Sequence, residues 1–182
     1  MKRFCPIIVC LLLLPLSGCA ARKEQKLLDD FSAALSRRQD VAVVAQLRAV
    51  YDDGSFDFRL QYREGPEGPE ITVLSPQELE GLSVTLREDG SLLHYDQLHL
   101  ETGDLDEEGL SPLTALPLLL ESLRHPCAQS FRQEGDLLAV SLVPDDERQL
   151  DVYFEQETMT PRRAEMVSEG RLRIACEVES WN

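Results

Sequence analysis

No apolar run in this chain is long enough to cross a bilayer. The longest, Phe4 to Leu16, falls short of the roughly 20 residues that a spanning helix requires, so it does not read as a transmembrane anchor. There is no Gly-x-Ser-x-Gly, no His-Glu-x-x-His and no glycine-rich phosphate loop, which removes the common signatures of serine hydrolases, zinc proteases and nucleotide-binding enzymes. Basic residues are scarce: 18 Lys and Arg stand against 33 Asp and Glu, a formal charge of −15. A surface of that sign repels phosphate backbones and anionic headgroups, so nucleic acid and electrostatic membrane docking are disfavoured. Of the three histidines, His94 and His99 fall five apart in what reads as one strand and so on opposite faces, while His125 ends a helix. No metal, cofactor or catalytic residue is expected, and Asp104, Asp106, Glu107 and Glu108 read as a solubilising loop.

What is present begins at the N-terminus. Lys2 and Arg3 form a charged n-region, Phe4 to Leu16 an apolar h-region, and Leu16-Ser17-Gly18-Cys19 has the form of a lipobox. Small residues at Ser17 and Gly18 admit the backbone to a peptidase cleft, and the Cys19 thiol is the nucleophile for diacylglyceryl transfer. Cleavage between Gly18 and Cys19 is expected, with palmitate-type chains on Cys19 holding the protein to the extracytoplasmic face of a membrane. Two chains at about 0.8 kcal/mol per buried methylene suffice for stable residence. Removal of residues 1–18 leaves 164 residues, 16 of them basic and 33 acidic, and a single domain. Its expected divisions are 1–18 signal, 19–40 lipidated N-terminus and amphipathic helix, and 41–182 the folded body.

Two mature cysteines besides Cys19 remain, Cys127 and Cys176. Strand parity points both toward the apolar side, and either a disulfide or two separate buried thiols fits an oxidising compartment.

Ala20 to Glu24 reads as a polar leader, and Lys26 to Arg38 as an amphipathic helix with Leu27, Leu28, Phe31, Ala34 and Leu35 on one stripe. From Val41 the period becomes two. Val41, Val43, Ala45, Leu47, Ala49 and Tyr51 share a face, and Phe56, Phe58, Leu60 and Tyr62 alternate with Asp57, Arg59, Gln61 and Arg63, predicting an antiparallel hairpin. Short strands follow, separated by turns: Ile71 to Leu74, a helical turn at Gln77 to Leu79, Leu82 to Leu86, Leu92 to Leu100, Ala128 to Gln133, Leu137 to Val143, Gln149 to Phe154, Arg162 to Val167 and Leu172 to Glu179. Hairpins without intervening helices predict a mainly β fold with one curled antiparallel sheet. The meander is interrupted once. Ser111-Pro112 is a helix start, and Leu113, Leu116, Leu118, Leu119, Leu120 and Leu123 wrap the helix so fully that it must sit inside the curve.

This plan resembles the LolA/LolB-like lipoprotein half-barrel superfamily over about Val41 to Val178. Glu155-x-x-Thr158-x-x-Pro161 is similar to the superfamily's Asp-x-x-Thr-x-x-Pro turn, with Glu155 for Asp and Met159-Thr160 where Gly-Leu is usual. Ser75-Pro76-Gln77-Glu78-Leu79 with Gly81, together with Leu110 to Pro117, looks like the lipoproteins of sporulating Gram-positive bacteria. The resemblance implies a strongly curved sheet forming a half-barrel, with the N-terminal helix and the leucine-rich helix on its concave side. It implies a non-enzymatic binding or adaptor module for an extracytoplasmic protein, a cell-wall amidase of spore germination being one partner of that branch. The alternative is a carrier or receptor of acyl chains or another apolar ligand, with Leu113, Leu116, Leu119, Leu120, Leu123, Phe56 and Phe58 lining or covering the hollow; a hydrolase with an unrecognised site is the third reading. The arginine that tethers the lid in carriers has no assignable match, although Arg59 lies on a suitable strand.

Overall fold

The computed structural model describes residues 17–87, 90–103, 105 and 110–182; for 17–21 it describes only the backbone. Signal residues 1–16, the Cys19 side chain, Asp89 and the carboxylates Asp104, Asp106, Glu107 and Glu108 lie outside the described residues.

A helix, α1 (Ser17–Leu35), precedes six strands: β1 (Ala42–Tyr51), β2 (Gly54–Gly65), β3 (Gly68–Ser75), β4 (Ser83–Arg87), β5 (Gly90–Tyr95) and β6 (Leu98–Thr102). A second helix, α2 (Pro112–Arg124), leads to five more: β7 (Ala128–Glu134), β8 (Leu137–Leu142), β9 (Arg148–Glu155), β10 (Pro161–Ser168) and β11 (Arg171–Trp181). All eleven form one open antiparallel sheet in the order β6-β5-β4-β3-β2-β1-β11-β10-β9-β8-β7. The first meander starts in the middle and runs to one edge; the second starts at the other edge and returns to pair β11 with β1.

That order explains the inserted helix. The chain leaves β6 at one edge and must begin β7 at the other, about 48 Å away if ten spacings of 4.8 Å lay flat. A route over the apolar face is the one that buries leucines on the way, and α2 takes it, contacting β1, β2 and α1. Leu116, Leu119, Leu120 and Leu123 are fully buried in one core with Val43, Leu47, Leu60, Ile71, Leu138, Val152, Phe154 and Ile174. Ser111 caps α2 by accepting from the Leu113 amide at 3.2 Å, and Thr114 completes a capping box. The N-terminal helix closes the same core: Phe31 stands edge-on to Phe154 at 5.5 Å and 6.3 Å from Trp181.

Three local expectations are corrected. The leader Ala20 to Glu24 is helical, and α1 begins nine residues before Lys26, since Ala20, Ala21, Arg22, Lys23, Glu24 and Gln25 are mostly good helix formers with nothing to break the turn. The run Leu92 to Leu100 is two strands, because Asp96 adopts a left-handed conformation (φ 54°) and folds β5 back onto β6. His94 and His99 are therefore register partners on one face rather than residues on opposite faces. Cys127 is exposed, because a register shift between Ala128 and Ser130 breaks the alternation that pointed it toward the apolar side. Cys176 is fully buried on β11, four strands from β7, and both thiols are free, so no disulfide joins them. Burial pushes the Cys176 thiol up to about 12, with Glu177 adding to it, which keeps it protonated and inert.

One glycine is required by packing. Gly68 opens β3 at φ 123°, and a Cβ there would lie 2.2 Å from the Leu86 carbonyl oxygen.

Candidate functional site: the lip of the half-barrel

Strands β1, β2 and β11 are the longest neighbouring group in the sheet, and they outrun the helices that cover it. On their core-facing side the buried series Val43, Ala45, Leu47, Ala49 ends in Tyr51, which is 41% exposed. On β2 the series Tyr62, Leu60, half-buried Phe58 ends in Phe56, at 55%. Leu172, at 42%, is exposed near the start of β11, where a register shift against β10 separates it from the buried Ile174. The Tyr51 and Phe56 rings meet edge-on at 5.9 Å. Partial burial raises the Tyr51 phenol, as expected of a ring half inside an apolar setting.

Charges adjoin this patch. Asp52 pairs with Arg171 at 3.3 Å and Arg173 at 3.6 Å, while Arg48 and Asp57, alternating with Tyr51 and Phe56, pair at 2.7 Å on the outer face. The Asp57 carboxyl is held below its ordinary range by the hydrogen bond from Arg48. On the outer face Arg59 pairs with Glu179 at 2.8 Å, and Gln46 donates to the same carboxylate at 2.9 Å. Arg59 thus faces away from α2 and tethers nothing to it.

The tether runs the other way. Arg124, in the last turn of α2, pairs with Glu64 of β2, both side chains being mostly buried, and the Tyr62 hydroxyl donates to Glu64 at 3.5 Å. Ser32 of α1 donates to the Arg124 carbonyl at 2.7 Å, so the two helices and the sheet meet at one polar knot. Burial pulls the Arg124 guanidinium down, but Glu64 and Tyr62 outweigh it and leave it raised. Nothing in the sequence signals this cluster: a cation in a last helical turn is ordinary, and its carboxylate lies 60 residues away.

The other expected site residues divide. Leu116, Leu119, Leu120 and Leu123 fill the hollow rather than line a space in it, while Leu113 is half-buried. Phe56 lies on the core-facing side of β2 but is the exposed end of its row. Gly18 and Cys19 lie in the backbone of α1. The Glu155 turn is built as its motif implies: the Glu155 carboxylate accepts from Thr158 at 2.8 Å and Arg162 at 3.0 Å, which hold its pKa low, and buried Met159 takes the left-handed conformation (φ 54°) usually left to glycine. Among the described residues no helix is long and apolar enough to cross a membrane, and no cluster of three or more His, Cys, Asp or Glu could hold a metal.

Neither a protein-family model nor a curated protein matches the chain. Solved structures similar to it include an uncharacterized conserved protein from Thermus thermophilus, with a TM-score of 0.51 and 12% identity over 88% of this chain and 86% of that one. A LolA superfamily protein from Nitrosomonas europaea has a TM-score of 0.46 and 12% identity over 87% of this chain and 92% of that one. A structure of the CwlD amidase from Clostridioides difficile in complex with the GerS lipoprotein has a TM-score of 0.45 and 15% identity over 87% of this chain and 94% of the matched one. At these identities the likeness is one of fold.

Proposed function

We propose that this chain is a lipid-anchored, non-enzymatic binding module on the extracytoplasmic face of a membrane, and that its lip docks a partner protein. The observation that carries this reading is the lip itself: Tyr51 and Phe56 stand ring to ring and exposed, next to the ion pairs of Asp52 with Arg171 and Arg173. An apolar centre with a charged rim is the anatomy of a protein interface, whereas an acyl chain needs a long apolar trough, and the leucines of α2 occupy that space. The anchor rests on the lipobox at Cys19.

The interface is tested by placing a photocrosslinking residue at Phe56 in intact cells, with the outer-face position Glu70 as control. One dominant protein adduct is expected from position 56, abolished when Tyr51→Glu is added, and the amidase partnership implied by the sequence resemblance is checked by its mass. Equal adducts from positions 56 and 70, or lipid adducts alone, would remove the reading. The anchor has its own test: Cys19→Ser is expected to abolish labelled-palmitate incorporation and move the protein from the membrane fraction to the soluble one, and persistence of the label would refute it.

A further inference from the structure

The β5–β6 hairpin brings together the two histidines that the sequence separates. Asp96 and Gln97 turn the chain, and His94 and His99 become direct partners across the last ladder of the sheet, on the face away from the core. Their rings are perpendicular, with centroids 4.6 Å apart, and the two Nδ1 atoms stand 2.6 Å from each other. Among the described residues neither imidazole has another hydrogen-bond partner. His94 is half-buried and His99 exposed, so one side of the pair is braced by the sheet and the other is open to solvent.

Two lone pairs aimed into one gap repel unless a proton or a cation lies between them. We infer that His94 and His99 form a bidentate site for a divalent transition-metal cation of the imidazole-preferring class, with copper(II) the tightest. The geometry favours it. With metal–nitrogen bonds of ~2.05 Å, a right-angled pair of ligands needs nitrogens ~2.9 Å apart and a tetrahedral pair ~3.3 Å. The first is reached by a shift of ~0.3 Å and the second by ~0.7 Å, both within small rotations of two surface rings. The right-angled arrangement of square-planar copper(II) or nickel(II) is the nearer, and copper(II) also heads the general order of divalent affinities. The ladder fixes the two backbones, so only side-chain freedom is lost on binding, and the chain's formal charge of −15 raises the local cation concentration. Water completes the coordination from the open side.

The test titrates the tag-free protein, cleared of metal, with copper(II) at neutral pH and reads stoichiometry by calorimetry and nitrogen ligation by electron paramagnetic resonance. The expected result is one site with a two-nitrogen equatorial pattern. His94→Gln and His99→Gln should each reduce the pattern to one nitrogen and weaken binding by more than the roughly 10–100-fold that losing a mere outer-shell partner costs. His125→Gln should change neither, because His125 lies apart at the end of α2 beside Glu121. Circular dichroism checks that each variant keeps its sheet. Binding unchanged in His94→Gln or His99→Gln, or a one-nitrogen spectrum in the unmodified protein, overturns the site.

Discussion

Leu119→Ala should lower stability by about 3–4 kcal/mol, with the urea midpoint of Trp181 fluorescence falling accordingly. Leu119 is fully buried where α2 crosses the apolar face, and its removal costs the transfer free energy of the lost carbons plus that of the cavity left behind. How much of the second cost is recovered depends on whether the neighbours can close in. Here they cannot: α2 is held at its start by the Ser111 capping box and at its end by Glu64, so the helix has no freedom to settle toward the sheet. Leu113→Ala, at a half-buried position in the first turn, should cost only about 1 kcal/mol. Trp181 is the only tryptophan and packs against Phe31, so its emission follows docking of the N-terminal helix as well as the sheet. A loss for Leu119→Ala no larger than for Leu113→Ala would show that α2 is not the centre of the core.

The contrast between these two leucines shows what periodicity can and cannot deliver. Alternation in β1 and β2 identified the core-facing row correctly, because a half-buried antiparallel strand has no other way to separate its apolar and polar residues. It also gave Phe56 the right face, but not the right environment: where a row leaves the shelter of the helices depends on relative element lengths, which a sequence window does not hold. The hairpin at Asp96 was hidden because Asp, not Gly, supplies the left-handed residue. Cys127 was misplaced because parity counting fails across a bulge. The histidine pair and the Tyr62–Glu64–Arg124 cluster are products of topology alone, assembled by a turn without a glycine and by a crossover from one sheet edge to the other.

That cluster yields the second large effect. Arg124→Ala should cost about 3 kcal/mol, the low end of the roughly 3–5 kcal/mol expected when one partner of a buried ion pair is removed, since both side chains retain a little exposure, 18% for Arg124 and 14% for Glu64. The loss comes mainly from the Glu64 carboxylate, left with two long hydrogen bonds, from the Tyr62 hydroxyl at 3.5 Å and the Val41 amide at 3.4 Å, and no countercharge. Replacing the pair together, as Glu64→Leu with Arg124→Met, should therefore recover most of it, and failure to do so would mean that the guanidinium contributes chiefly by packing. The pH dependence gives an independent sign. Burial first, and the Glu64 charge second, push the Tyr62 phenol up to about 12, with Arg124 opposing them. Below its ordinary value near 10 both folded and unfolded chains keep that proton and the contribution to stability is whole. As pH rises toward 12 the unfolded chain releases it first, so stability declines through that window. Removing Arg124 takes away the one favourable charge, so ultraviolet titration of the phenolate should show Tyr62 ionising at still higher pH in Arg124→Ala. A downward shift instead would mean that water reaches the ring once the guanidinium is gone, and that Arg124 closes this end of the half-barrel.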